Sequence, residues 1–364
     1  MDGLGDSFHT EADALFCDRV VVLLVCWSED EFMKLRLGVV GIGADWETRH
    51  RLALRSLGDR FEVRAVCTEV AQRAEQMARE WGAVAVDSYR SLAARSDIDA
   101  LLLFPSNWFG VLPILAACDA GKAVYCGAVL DVPTERAREI KRRVEDAGIA
   151  FMAEFPRRHS PATLRLKELI ATRLGQPRLL YCHMRRSAKS DPREESHAIT
   201  REMIELIDWC RYVVGSDPSA VWSTCHQGLA TNRVDYEMMS LDFSPPGSFG
   251  VGALAQISCG QYLPNNWSEA ASFRRPAAMQ VACQKGVAFL DLPATLTWFD
   301  EAGRHTESLE SERPVGEQLL THFHRAVTSL VRRTSDLEDA YRALHVVCSG
   351  RESFATGRRV AIEF

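Results

Sequence analysis

Gly41-Ile42-Gly43-Ala44-Asp45-Trp46 stands between an apolar run, Leu35 to Val40, and a segment of helix-like composition that reaches Leu57. Two glycines in that context permit a tight turn. They also let a pyrophosphate approach the start of a helix, where unpaired N–H groups and the helix dipole favour negative charge. Trp46 occupies the third glycine position of such a pattern. A bulky ring there is expected to crowd helix-to-strand packing or the phosphate path. After the next apolar run, Phe61 to Cys67, an acidic residue usually holds the ribose hydroxyls of a dinucleotide. This chain has Thr68 and then Glu69. Thr68 could hydrogen-bond a 2′-phosphate, no Arg follows immediately, and Glu69 equally suits the first turn of a helix. NAD and NADP therefore both stay open.

These residues need a parallel sheet to position them, and the hydrophobic pattern predicts one. Strands are expected at Leu35–Val40, Phe61–Cys67, Ala100–Phe104, Ala123–Cys126 and Ile149–Met152, with a short one at Val84–Val86. Between them, Val70, Ala74, Met77, Ala78 and Trp81 recur at helical spacing, with Gly82 at the exit. Thr134 is expected to cap a helix with Ala137, Ile140, Val144 and Ala147 on its inner face. Alternating strands and helices mean βαβ units, and ligands of such sheets bind at the carboxyl ends of the strands. Here those ends are Gly41, Thr68, Pro105 and Gly127. Beyond about residue 155 the rhythm changes to helices around a series of β-like runs from Ala220 to Phe299. The fold class is thus α/β, an N-terminal Rossmann doubly wound parallel sheet, plus a C-terminal α+β domain with a large, mostly antiparallel sheet. The expected division is 1–32 as a leader outside the fold, 33–153 as the dinucleotide-binding domain and 154–364 as the substrate and oligomerisation domain.

The bulk properties narrow the function. A net charge of -6 leaves no basic surface for a nucleic-acid backbone. The eleven cysteines are scattered without a Cys-x-x-Cys pair, so neither a disulfide framework nor a metal site is expected. A cytoplasmic location is the simplest reading. The apolar stretch Val20 to Val25 is far shorter than the roughly 20 residues that span a bilayer. Met33-Lys34 opens directly into the first strand, which marks Met33 as a possible true start.

Further along, an ordered series of short segments appears: Phe104-Pro105-Ser106-Asn107, Ala120-Gly121-Lys122-Ala123-Val124, Arg158-His159-Ser160-Pro161, Ile207-Asp208-Trp209 through Gly215, Gln284-Lys285-Gly286 through Leu290, and Arg351-Glu352-Ser353 through Gly357-Arg358. Together with the Gly-rich turn, this series resembles the glucose–fructose oxidoreductase/inositol dehydrogenase (Gfo/Idh/MocA) family over residues 35 to 364. The resemblance implies an NAD(P)-dependent oxidoreductase acting on a sugar, cyclitol or related polyol derivative. It also implies pairing of subunits through the C-terminal sheet. The cofactor would lie on Gly41, Ile42, Gly43, Ala44, Asp45, Trp46, Thr68, Glu69, Pro105, Ser106, Asn107, Gly127 and Ala128.

The departures from the family fall on its functional positions. The Glu-Lys-Pro triplet, whose Lys approaches the nicotinamide and the substrate hydroxyl, is Gly127-Ala128-Val129 here. The His common after the Pro-Asn loop aligns near Phe109. The family's Asp and His, four residues apart on a helix of the second domain, become Arg201 and Glu205. Arg stays protonated and cannot act as an ordinary base, whereas Glu205 can if its pKa is raised. Glu205 is therefore the expected acid/base and Arg201 the expected clamp on a substrate anion or hydroxyl. His183, Lys189, His197 and Glu154 are weaker candidates for the cleft, and Gln256 and Tyr262 read as sheet-face residues. Two functions remain open: an oxidoreductase with a non-standard site, or a non-catalytic dinucleotide- or sugar-binding sensor or scaffold. Either way, little or no oxidation of free sugars and inositols is expected.

Overall fold

The computed structural model describes residues 34–364 apart from 44, 105–108, 128–129, 188–191, 229–232, 264–266, 268, 271–277 and 330–334. Residues 1–33, which contain the expected leader 1–32, lie outside the described residues.

Six parallel strands form the first sheet: β1 (Leu35–Val40), β2 (Phe61–Cys67), β3 (Val84–Ala85), β4 (Ala100–Leu103), β5 (Ala123–Cys126) and β6 (Phe151–Ala153). Their order is β3-β2-β1-β4-β5-β6, a doubly wound arrangement whose direction of winding reverses between β1 and β4. Near-continuous apolar sequence suits strands covered on both faces, and β4 and β5 are buried at every position. The connecting helices are α1 (Arg51–Ser56), α2 (Ala71–Trp81), α3 (Tyr89–Ala93), α4 (Leu112–Asp119) and α5 (Thr134–Ala147).

Gly82 ends α2 in the left-handed region, as its position suggested. Thr134 departs from expectation: it is the first residue inside α5, Pro133 is the cap, and no side chain caps the helix. Pro at that position supplies a preset φ instead of a hydrogen bond. The inner face is as expected, with Ala137, Ile140 and Val144 fully buried.

The second sheet has nine strands: β7 (Pro177–Ser187), β8 (Ala220–Gly228), β9 (Arg233–Asp242), β10 (Leu254–Leu263), β11 (Met279–Cys283), β12 (Val287–Asp291), β13 (Thr295–Asp300), β14 (Gly303–Ser308) and β15 (Val360–Ala361). The order is β14-β13-β12-β11-β7-β10-β9-β8-β15, antiparallel except where β10 runs parallel to β7. Four helices accompany it: α6 (Pro161–Leu169), α7 (Pro192–Val214), α8 (Val315–Thr328) and α9 (Ser335–Thr356).

One face of this sheet, with Leu180, Cys182, Ala255, Ile257 and Cys259, is buried on the helix side. The alternate residues Tyr181, Trp222, Leu254 and Tyr262 are exposed. Crowding of apolar residues at both parities therefore marks one buried face and one apolar face open in the single chain. The described cysteines form no disulfide, and no helix among the described residues is long and apolar enough to cross a membrane.

Candidate active site

The Gly-rich turn forms where β1 ends. Gly41 donates its N–H to the Cys67 carbonyl at 2.8 Å, continuing the β1–β2 ladder, and then turns at φ 80°, a region that favours glycine. The helix that follows begins with one π-helical turn, Trp46–His50, before α1. Its signature is the Asp45 carbonyl, which accepts from Arg49 at 2.9 Å and from His50 at 3.3 Å. Such turns recur at functional sites because they re-aim side chains.

Trp46 settles one of the two outcomes expected of it. The ring is 3% exposed and packs in the core beside Trp81 and Phe104, with centroids at 6.3 and 5.4 Å. It fills helix-to-strand space beside these two rings. Asp45 is exposed and Ile42 and Gly43 half-buried beside it. Thr68, half-buried, donates its hydroxyl to the Val70 carbonyl at 2.8 Å, and Glu69 is exposed. The hydroxyl hydrogen of Thr68 is thus already used locally, although its oxygen can still accept. Ala44, Pro105, Ser106, Asn107 and Ala128 lie outside the described residues. Gly127 is described and ends β5, where its N–H reaches the Leu103 carbonyl at 2.8 Å.

Two buried ionic clusters meet at the carboxyl end of this sheet. The first surrounds Glu154, the residue after β6, whose side chain is 2% exposed. It accepts from Arg49 and, at 2.8 Å, from His50 Nε2. Burial pushes its carboxyl up, but His50 and Arg49 outweigh that push and hold it below the usual range. An ionised carboxylate only accepts, so the His50 hydrogen resides on Nε2.

The second cluster lies on α7. Arg157 bridges Glu205 and Glu202, and Arg186 reaches Glu202 at 3.1 Å. One buried guanidinium faces two carboxylates. Burial, set against the pull of Arg157 and joined by the charges of Glu202 and Glu154, pushes Glu205 up to about 7. That Glu205 feels Glu154 and Arg49 brings α7 into the electrostatic neighbourhood of the dinucleotide turn. Arg201, one helical turn before Glu205, is half-buried, and its Nε finds no hydrogen-bond partner among the described residues. His159 also joins this neighbourhood. Its ring lies 4.8 Å from that of His322, and burial, His322 and Arg158 push it down to about 4.

The weaker candidates separate. His183 bonds Ser258 at 2.8 Å on the sheet face away from α7, so it does not enter the cleft. Alternation along β7 puts it on the face of exposed Tyr181. Gln256 and Tyr262 lie on that same open face. Lys189 lies outside the described residues, as does the side chain of His197. Phe109 packs edge-on against Tyr89. Sequence reasoning passed over Arg49, His50 and Arg157. Their signals were present: two basic residues just after the glycine turn, and an Arg pair opening the second half.

A doubly wound sheet with a glycine turn at its switch point defines a dinucleotide-binding Rossmann protein. A second, nine-stranded sheet and the ionic α7 follow it in the chain. Residues 35–155 match the family described as "Oxidoreductase family, NAD-binding Rossmann fold" (GFO_IDH_MocA). Residues 35–155 are thus similar to the NAD-binding domain of the Gfo/Idh/MocA family, whose cofactor is NAD or NADP.

Among its relatives is an inositol 2-dehydrogenase from Pseudomonas savastanoi pv. phaseolicola, 28% identical over 189 residues. That alignment covers 51% of this chain and 56% of the relative, so the chain spans about half the length of the curated relatives it matches. Over the whole fold it is similar to a levoglucosan dehydrogenase solved with NADH and levoglucosan, with a TM-score of 0.77 at 17% identity. That similarity covers 91% of this chain and 100% of that one. An aldose-aldose oxidoreductase from Caulobacter crescentus gives a TM-score of 0.76 at 15% identity, with the same coverage.

Proposed function

We propose that the protein is an NAD(P)-dependent oxidoreductase acting on a sugar, cyclitol or related polyol derivative through a non-standard active site. The supporting observation is Glu205: a half-buried carboxylate pushed to about 7 beside the carboxyl end of the first sheet. A general acid/base works best with a pKa near the operating pH. Bound dinucleotide would supply hydride transfer at the nicotinamide. Glu205 would take or return the proton of the substrate hydroxyl, Arg201 would hold a neighbouring hydroxyl or anion, and Arg157 would keep the Glu205 carboxylate in place.

A second reading, a non-catalytic dinucleotide- or sugar-binding sensor or scaffold, is favoured by two observations. Arg157 already occupies an oxygen of Glu205, and Gly127-Ala128-Val129 carries no lysine. Titration of the purified protein with NADH and NADPH, followed by nicotinamide absorbance across a polyol panel, separates the two. Turnover supports the enzyme; tight binding without turnover supports the dinucleotide sensor; no binding of either dinucleotide removes the enzyme and leaves a sugar sensor or a scaffold.

The reading includes a cytoplasmic protein that pairs with a second copy through the open face of the nine-stranded sheet. A shallow groove of about 390 Å³ there is lined by Leu179, Tyr181, Trp222, Leu254 and Gln256, with Arg359 and Asp242. Contiguous exposed apolar surface of this kind marks interaction sites. Sedimentation at micromolar concentration is expected to exceed the 40.7 kDa of one chain. A monomer would end this part of the reading.

A further inference from the structure

Gly127 ends β5 at the position where the family's triplet begins with a glutamate. A Cβ built there would meet the Phe104 ring at 2.7 Å and Glu154 Oε2 at 3.1 Å. The space beside Gly127 is therefore already filled by the Phe104 ring and by a carboxylate that arrives from the neighbouring strand. β5 and β6 pair in parallel, with Cys126 opposite Ala153, so Gly127 and Glu154 are the next residues of the two strands.

Both partners of this carboxylate, Arg49 and His50, belong to the π-helical turn that follows the glycines. That turn is also clamped from its other side. Gly316 of α8 comes so near that a Cβ on it would lie 2.8 Å from the Arg49 carbonyl and 3.1 Å from Ala53 Cβ. The His50 ring lies 4.3 Å from that of Phe104, tilted by 46°, and Phe104 itself borders Gly127. The turn thus has little freedom except through the Glu154 contacts. Beneath them the buried Tyr125 hydroxyl also lies against this carboxylate, and burial and the Glu154 charge raise its pKa.

We propose that Glu154 is a positioning residue: it supplies from β6 the carboxylate that the matching triplet carries on β5, and through Arg49 and His50 it sets the helix turn that receives the dinucleotide. It acts through that turn and not on the substrate. The proposal rests on the dinucleotide reading given above and deepens it. Dinucleotide affinity is then tied to the crossover between the two sheets, because Glu154 begins the segment leading to Arg157 and α6.

The test moves the carboxylate back. Fluorescence titration with NADH and NADPH, with melting temperature recorded alongside, compares wild type, Glu154→Gln, Glu154→Gly, and Glu154→Gly combined with Gly127→Glu. Glu154→Gln should raise the dinucleotide Kd by about tenfold or more, the scale of losing a charged hydrogen bond. The double variant should regain most of the affinity that Glu154→Gly loses, which a generic loss of packing would not allow. A double variant that binds no better than Glu154→Gly, or a Glu154→Gln that binds like wild type, overturns the proposal. If Glu154→Gly does not fold, soluble double variant supports the transposed carboxylate, and an equally unfolded one counts against it. Should wild type bind neither dinucleotide, the functional reading fails on its own. The carboxylate transposition is then judged by whether the double variant restores the melting temperature.

Discussion

The clusters around Glu154 and Glu205 use the same residue types to opposite ends. At Glu154 one carboxylate meets an arginine and a histidine, so the buried charge is fully answered and the group stays ionised. At Glu205 the one arginine in contact, Arg157, also holds Glu202, and its pull does not outweigh burial and the neighbouring carboxylate charges, so a proton is favoured. Burial raises both carboxyls; His50 and Arg49 outweigh it at Glu154, whereas Arg157 does not at Glu205, so only Glu205 can exchange a proton near neutrality.

The sharpest way to break this contrast is kinetic. If wild type turns over any polyol, Glu205→Gln should lower kcat by about 10²- to 10⁴-fold, the usual worth of general acid–base assistance. Turnover untouched by that change would move the proton route elsewhere and reduce Glu205 to a structural partner of Arg157. The companion change Ala128→Lys restores an ammonium at the family's lysine position, and a rise in kcat on adding it would show that the missing lysine limits the wild type.

The second test is stability. Glu154→Ala leaves Arg49 and His50 facing an emptied buried site, and breaking a buried pair in this way costs about 3–5 kcal/mol. Glu205→Gln should cost far less, because it removes a carboxylate that burial already pushes toward its neutral form. Denaturant melts of both variants check the order. Equal losses would mean that the two clusters do not differ as described.

How far the sequence revealed this depended on the range of the signal. The strands Leu35–Val40, Phe61–Cys67 and Ala123–Cys126 were legible to the residue because apolar runs and glycine exits are local. The short α3 was not anticipated; Ser88 caps it through a hydrogen bond to Arg90, a signal only five helical residues long. At the candidate site, Glu205 was singled out by its place in an ordered motif. Arg157 and His50, whose importance comes from partners 48 and 104 positions away, were not, because no periodicity reports such contacts. Trp46 shows the same limit. Its identity promised crowding, and only the tertiary fold decides that the ring turns toward Trp81 and Phe104.

The smallest expected effect is the most specific to the comparison, and it concerns pH. Glu205 is raised from an ordinary glutamate value near 4.5 to about 7, so the folded chain holds a proton that the unfolded chain has released. Its contribution to stability is full below the lower value and is lost as pH climbs through the upper one. Glu154 is shifted the other way, so its contribution is present above the ordinary value and lost only in acid. Other groups overlap this window. Asp208 and Asp336, each pushed up to about 6, act with the sign of Glu205, while His159, pushed down to about 4, makes stability rise over part of the same range. The total curve therefore mixes signs, and the informative quantity is wild type minus Glu205→Gln. That difference should decline between about pH 4.5 and 7 with a slope of at most one proton, about 1.4 kcal/mol per pH unit. Urea melts of the two proteins at half-unit steps would show it. A flat difference would mean that Arg157 keeps both carboxylates ionised, and the contrast between the two clusters would be gone.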